Sequence, residues 1–188
     1  ISRLNINLLK PDINYSEALF SIENTNNTKS IRFGLGAIKG VGIKSISSMI
    51  EERKNNGKFK NIIDFMNRVK SDVINKRQLE KLIQAGAFDS IELNRSKLFI
   101  NVPKFVELFG GEKIFNQDLL FEETEISFDD NNLFVQKFNS WNYLETLTNE
   151  LDVIGFYFSD HPLNHYPKKF FELENIMSFK NYSERYDL

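Results

Sequence analysis

Two glycines separated by one aliphatic residue, in Gly40-Val41-Gly42, lie between two lysines, Lys39 and Lys44. A helical pattern of apolar residues begins immediately afterwards. Glycine lets the backbone approach an anion closely. The unpaired N–H groups in the first turn of a helix, together with the positive end of its dipole, favour negative charge. The stretch therefore predicts a phosphate-binding turn, and the phosphate belongs either to a small molecule or to a nucleic-acid backbone.

The spacing of the glycines narrows this choice. The sequence contains neither the Gly-x-Gly-x-x-Gly fingerprint of dinucleotide-binding proteins nor the Gly-Lys-Ser/Thr ending of a nucleoside-triphosphate loop. The pattern Leu35-x-x-Ile38-Lys39-Gly40-Val41-Gly42, followed by a helix, resembles a helix-hairpin-helix, a module that grips DNA phosphates without reading bases. An ordinary glycine turn that binds nothing is the alternative. The predicted DNA-binding residues at this turn are Lys39, Gly40, Val41, Gly42, Ile43 and Lys44.

Charge is unevenly distributed along the 188 residues, although the net charge is only −2. Residues 34–100 carry a net charge of +6, whereas residues 107–152 carry −9. The basic block suits a polyanion such as DNA. The acidic block would repel DNA, so we expect it to meet protein or solvent.

Composition limits the remaining classes of protein. Apolar residues make up 41% of the sequence and include 18 phenylalanines, which is enough for a substantial core in one large domain or two small ones. Cysteine is absent, which excludes disulfides and thiolate metal sites. No apolar run reaches the roughly 20 residues of a membrane span, and no signal peptide opens the sequence. We expect a cytoplasmic protein without membrane contact and, because the sequence begins at Ile1, a piece of a longer chain.

Hydrophobic periodicity predicts a mainly α fold. Alternating residues on both sides of an Asn/Thr-rich connection at 23–29 predict a short β-hairpin. Four short amphipathic helices should follow, with starts at Ile43, near Ile62, after Asn75 as an N-cap, and near Asn94. Together they form a small helical unit with short connections.

The third and fourth helices repeat the theme of helix, glycine turn and helix. Gly86 ends the third helix, but the turn after it lacks a second glycine. We expect this degenerate copy to serve structure while the first hairpin binds phosphate. Lys76 and Arg77, at the start of the third helix, complete the predicted DNA-binding set. Pro103 lies inside the pattern of the fourth helix, where we expect a kink or a restart.

The last third of the sequence is less regular. Residues 110–139 are acidic and rich in Asn and Asp, which is typical of a linker. Ser140 is expected to cap a further helix, and residues 154–163 form an aromatic-rich extended run that ends at a proline turn. The apolar residues predicted to lie on that helix are Trp141, Leu144, Leu147 and Leu151.

Four segments resemble, in the same order, the alpha subunit of bacterial DNA polymerase III, a replicative polymerase of the C family. The first is Lys10-Pro11-Asp12-Ile13-Asn14 with Phe20 downstream. The other three are 31–42, 75–89 and 155–163. Each motif alone is moderately specific, but four in the family's order are highly specific.

The resemblance implies a tandem helix-hairpin-helix domain, preceded by a short β-hairpin and followed by an irregular linker and a further helix. The implied regions are the end of the fingers domain at 1–33, the tandem hairpin domain at 34–109, a linker with a clamp-binding motif at 110–139, and a helix leading towards an OB domain at 140–188. The resemblance also implies a motif for the sliding clamp within the linker. Its residues are Gln117, Leu120 and Phe121.

The implied function is non-catalytic. In this family, palm aspartates hold Mg²⁺ for nucleotidyl transfer by a DNA-directed DNA polymerase, but the present sequence contains no Asp-x-Asp. We expect no catalytic residue, metal site or cofactor here, and Mg²⁺ only in the parent active site. The implied partners are primer–template duplex DNA, the sliding clamp and other replicase subunits. The alternatives are a stand-alone DNA-repair adaptor that carries a helix-hairpin-helix, or a structural interaction domain without DNA contact.

Overall fold

The computed structural model describes residues 7–25, 28–70, 72–109 and 138–165. The chain divides into two compact units, Ile1–Phe158 and Ser159–Leu188. The described part of the second unit contains a 3-10 helix at Pro162–His165. Within this unit, the exposed His161 accepts a hydrogen bond at Nδ1 from the N–H of Leu163. None of the described helices combines the length and the apolar character that a membrane crossing requires.

A small sheet precedes the helices of the first unit. Strands β2 (Ser21–Thr25) and β3 (Thr28–Arg32) form the predicted antiparallel hairpin. Strand β1 (Asn7–Leu9) pairs in parallel with β3, so the strand order is β1-β3-β2. The parallel strand β1 was not predicted, because its three residues are too short to show alternation.

Four helices follow at the predicted places: α1 (Ile43–Asn56), α2 (Ile62–Arg68), α3 (Lys76–Gln84) and α4 (Arg95–Phe109). The mainly α fold class is therefore confirmed. Asn75 caps α3 in a reciprocal capping box with Gln78. Helix α4 runs through Pro103 without restarting there.

The last described helix differs from its prediction. Helix α5 (Tyr143–Ile154) is capped by Asn142, whose side chain accepts from the N–H of Glu145 while its own N–H donates to the Glu145 carboxylate. Ser140 therefore lies outside the helix. Trp141 also precedes the helix and packs against Phe99, with ring centroids 5.3 Å apart. Leu144, Leu147 and Leu151 lie on the helix as predicted, but Leu144 is half exposed. The buried residues of the helix are Leu147, Glu150, Val153 and Ile154.

The N-terminal segment and the helices share one hydrophobic core. Ile13, Phe33 and residues of α1 to α4 belong to it, together with Val153 and Ile154 of α5. Residues on both sides of position 33/34 therefore contribute to one core, and the division between the two compact units falls after Phe158. The region bounds at 1–33, 34–109, 110–139 and 140–188 stay predictions.

Two buried polar side chains hold the N-terminal segment against the helices. The guanidinium of Arg53 donates to the carbonyls of Ile13 and Ser16, both at 2.8 Å. The side chain of Asn14 accepts from the N–H of Phe59 at 2.8 Å and donates to its carbonyl at 2.9 Å. These contacts satisfy backbone groups that lie away from any strand or helix.

Candidate nucleic-acid interface

The glycine turn, residues 38–42, connects a 3-10 helix at Leu35–Ala37 to helix α1. Gly40 has a φ of +81°, which favours glycine at that position. Gly42 is the N-cap of α1, with φ −81° and ψ 132°. Any residue adopts that backbone, so conformation alone does not explain the second glycine.

Two amides of the glycine turn point into the protein. The N–H of Val41 donates to the carbonyl of Ile38 at 3.1 Å, and Val41 is buried. The N–H of Lys39 donates to the carbonyl of Val153 at 2.9 Å. Val41 therefore differs from its prediction as a DNA contact, because both its amide and its side chain face the interior. The side chain of Lys39 is exposed.

The backbone amides of four exposed residues at this turn, Gly40, Gly42, Ile43 and Lys44, have no acceptor within the described part of the chain. The internal bonds of α1 begin with the N–H of Ile46, which donates to the carbonyl of Gly42 at 3.1 Å. The first turn of α1 contains no acidic residue. These amides and the positive end of the helix dipole suit an anion.

The N-terminus of α3 lies against the glycine turn. Gln78 donates from Nε2 to the hydroxyl of Ser45 at 3.2 Å, and a Cβ placed on Gly42 would lie 3.3 Å from the same Nε2. Lys76 and Arg77 are exposed in the first turn of α3, which also lacks acidic residues. The first turn of α3, which carries these two cations, therefore begins beside the glycine turn.

The second hairpin is closed by the protein's own groups. The N–H of Gly86 donates to the carbonyl of Ile83 at 3.0 Å, and the carbonyl of Ala87 accepts from the N–H of Ile13 at 2.9 Å. A Cβ placed on Gly86 would lie 2.2 Å from Nη2 of Arg95. The turn of the second hairpin is therefore packed against other parts of the chain, and its purely structural role stays a prediction.

Arg95 forms a buried ionic cluster beside that hairpin. It donates two hydrogen bonds to Asp89, at 2.7 and 2.6 Å, and one to Glu150 at 2.7 Å. Burial by itself would lower the pKa of Arg95, but the hydrogen bonds and charges of Asp89 and Glu150 raise it above its ordinary value. Arg95 therefore stays charged, and its hydrogen bond to Glu150 joins α4 to α5.

Sequence reasoning missed this cluster and its link to the glycine turn. The available signal was Glu150 itself, three residues after the apolar Leu147 and four before Ile154 on one helical face. The predicted clamp motif, Gln117, Leu120 and Phe121, lies outside the described residues.

Comparison with known families defines the class of protein. Residues 5–98 match the family model of the helix-hairpin-helix motif, so the chain belongs to the helix-hairpin-helix family.

The chain is also similar over most of its length to proteins named DNA polymerase III subunit alpha. It is 38% identical to the one from Borreliella burgdorferi over 169 residues, which cover 88% of this chain and 14% of that relative. It is 34% identical to the Campylobacter jejuni protein over 182 residues, 95% of this chain and 15% of the relative. For Xylella fastidiosa the identity is 33% over 173 residues, 90% of this chain and 14% of the relative. The family resemblance seen in the motifs is thereby confirmed, and these shares fit a fragment of such a subunit.

Proposed function

We propose that this chain is a non-catalytic part of a replicative DNA polymerase alpha subunit, and that it holds duplex DNA by its sugar-phosphate backbone. The observation that carries the proposal is the set of four exposed amides at Gly40, Gly42, Ile43 and Lys44, which have no acceptor among the described residues. Membership of the helix-hairpin-helix family supports it.

In this proposal the amides donate charge-assisted hydrogen bonds to phosphate oxygens. The side chains of Lys39, Lys44, Lys76 and Arg77 add Coulombic attraction. Every base pair carries the same phosphates, so the contact positions the duplex without reading its sequence. Counterions leave the DNA on binding, so affinity should fall steeply with salt concentration. Nucleotidyl transfer, with the Mg²⁺ that it uses, would belong to other parts of the parent polymerase.

Two substitutions test the glycine turn with duplex DNA of mixed sequence. Lys44→Glu should weaken binding and lower the slope of log affinity against log salt by about one. Gly42→Ala keeps an allowed backbone and adds a methyl group beside the free amides, so it should weaken binding by roughly tenfold, the worth of one hydrogen bond to a charged group.

Lys29→Glu is the matched control, because Lys29 is an exposed lysine on β3 and undergoes the same change of charge. Fluorescence anisotropy over a salt series measures all three variants. Equal losses of DNA affinity for Lys44→Glu and Lys29→Glu would mean that the change in net charge alone explains the weaker binding. Unchanged affinity for both Lys44→Glu and Gly42→Ala would favour a structural domain without DNA contact.

We also propose that Gln117, Leu120 and Phe121 bind the sliding clamp. The two apolar side chains would enter a preformed pocket and Gln117 would add directional hydrogen bonds. A clamp contact and a DNA contact on one polymer raise each other's effective concentration, which would support processive synthesis.

A purified bacterial sliding clamp, immobilised for surface plasmon resonance, tests this second contact. The double variant Leu120→Ala, Phe121→Ala should lose binding, whereas Leu133→Ala, Phe134→Ala removes a similar apolar pair from the same acidic stretch and should retain it. Equal binding by both double variants would exclude the motif. A cytoplasmic location remains a prediction from the sequence.

A further inference from the structure

We propose that the buried pair of Glu150 and Arg95 positions the glycine turn for DNA, so that Glu150 controls DNA affinity without touching DNA. This inference rests on the proposed DNA-binding function. It concerns a residue that is 0% exposed and carries a negative charge, which by itself would oppose DNA binding.

The glycine turn contacts the last turn of α5. The N–H of Lys39 donates to the carbonyl of Val153, in the last turn of α5, at 2.9 Å. A Cβ placed on Gly155, the residue that ends α5, would lie 3.9 Å from Nζ of Lys39. The end of α5 therefore holds the backbone of Lys39, and the flexible side chain of Lys39 passes beside Gly155. Lys39 immediately precedes the free amides of Gly40 and Gly42.

Helix α5 is held in place through the carboxylate of Glu150. Glu150 accepts from Nη1 of Arg95 at 2.7 Å through one carboxylate oxygen and from the N–H of Phe158 at 3.0 Å through the other. Both carboxylate oxygens of the buried Glu150 are therefore hydrogen-bonded, which fixes this turn of α5. A neutral hydrogen bond lies beside it, from Nε2 of Gln84 on α3 to Oδ1 of Asn149 at 2.9 Å.

Arg95 is held in turn by Asp89 and by its packing against Gly86. Asp89 accepts two of its hydrogen bonds, and the guanidinium lies against the backbone of Gly86. The contacts then run from the second hairpin through Arg95 and Glu150 to α5, and from Val153 to the glycine turn. Through these contacts, the second hairpin, at Gly86, supports the glycine turn of the first hairpin.

The negative charge of Glu150 and its positioning role predict opposite effects of Glu150→Gln on DNA affinity. The substitution removes a negative charge, so electrostatics alone would strengthen DNA binding. It also turns one carboxylate acceptor into an N–H donor, so Arg95 and the N–H of Phe158 can no longer both be satisfied. Asp152→Asn is the matched control, since Asp152 is exposed on the same helix and undergoes the same change of charge.

The experiment measures duplex affinity and hydrogen exchange of the Lys39 amide in the whole chain. Glu150→Gln should bind DNA roughly tenfold more weakly, the worth of one hydrogen bond to a phosphate, and should exchange the Lys39 amide faster. Asp152→Asn should bind equally or up to about threefold more tightly. If Glu150→Gln matches or exceeds Asp152→Asn in affinity, the inference is overturned.

Two further variants separate positioning from loss of stability. Asn14→Ala removes a buried contact to Phe59 that involves neither α5 nor the glycine turn, and it should leave DNA affinity unchanged. An equal loss for Asn14→Ala would mean that any destabilisation suffices, which overturns the inference. Asn149→Ala removes only the neutral bond from Gln84, so it should remain folded even if Glu150→Gln does not. It should show a loss of about threefold with faster exchange at Lys39; unchanged affinity and exchange would count against positioning.

Lys44→Glu distinguishes this inference from the function on which it rests. If Lys44→Glu weakens binding and Glu150→Gln does not, only the positioning role fails. If Lys44→Glu and Gly42→Ala both bind DNA as tightly as the unmodified chain, the proposed function itself fails.

Discussion

Replacing Gly86 by alanine should destabilise the protein far more than the same change at Gly155. Both glycines follow helices with positive φ, +76° for Gly86 and +95° for Gly155. They differ in their surroundings. A methyl group on Gly86 would lie 2.2 to 2.9 Å from three guanidinium atoms of Arg95, whereas one on Gly155 meets only the flexible end of Lys39 at 3.9 Å.

The magnitudes follow from these distances. An alanine with a left-handed backbone costs about 1–2 kcal/mol at either position. At Gly86 the methyl must also displace Arg95, which separates it from the buried Glu150, and disrupting a buried ion pair costs about 3–5 kcal/mol. We therefore expect a loss of about 4–7 kcal/mol in the free energy of unfolding for Gly86→Ala, against about 1–2 kcal/mol for Gly155→Ala.

Urea denaturation followed by circular dichroism measures both variants against the unmodified chain. The shift of the midpoint at constant slope gives the change in stability. A Gly86→Ala protein that is already unfolded without urea agrees with the larger cost. Losses that agree within about 1 kcal/mol would refute the reasoning, because they would mean that Arg95 moves aside without losing Glu150.

Three further predictions concern stability. Asn14→Ala should cost about 2–3 kcal/mol in urea unfolding, because it leaves the buried N–H and C=O of Phe59 without partners; a loss below about 0.5 kcal/mol would mean that water replaces the amide. Asn75→Ala should cost about 1 kcal/mol by removing the cap of α3, which the same assay measures. The hydrogen bond from Arg68 lowers the pKa of Glu52 below its ordinary 4.5, so the unfolded chain binds its proton first and this stabilisation is present above pH 4.5 and lost as the pH falls through the folded pKa. Thermal melts from pH 7 to 3 should therefore fall less steeply for Glu52→Gln, and parallel curves would contradict this.

The helices and the glycine turn could be predicted because their signals are local. The cap at Asn75 and the stop at Gly57 act through bonds that reach a few residues along the chain. The start of α5 was equally local, since Asn142 and Glu145 have capping-box spacing. Ser140 has Tyr143 three residues later, so it lacks the acidic partner of a capping box.

The buried face of α5 could not be predicted in the same way. Periodicity counts apolar residues, and Glu150 is charged, so an apolar pattern does not mark it as buried. Its burial depends on Arg95, 55 positions earlier in the sequence. A charge becomes an interior residue only when its partner is brought to it, and that pairing is a property of the assembled fold.

The sequence by itself determined the family, the order of the helices and the location of the glycine turn, because motifs, caps and periodicity are written in neighbouring residues. The tertiary structure alone decided which amides of that turn are free. Val41 turns inward to Ile38, and Lys39 is bonded to Val153 on a helix more than a hundred residues away. Hydrogen bonds between distant backbone groups leave no mark on the side-chain pattern, so only the folded chain reveals them.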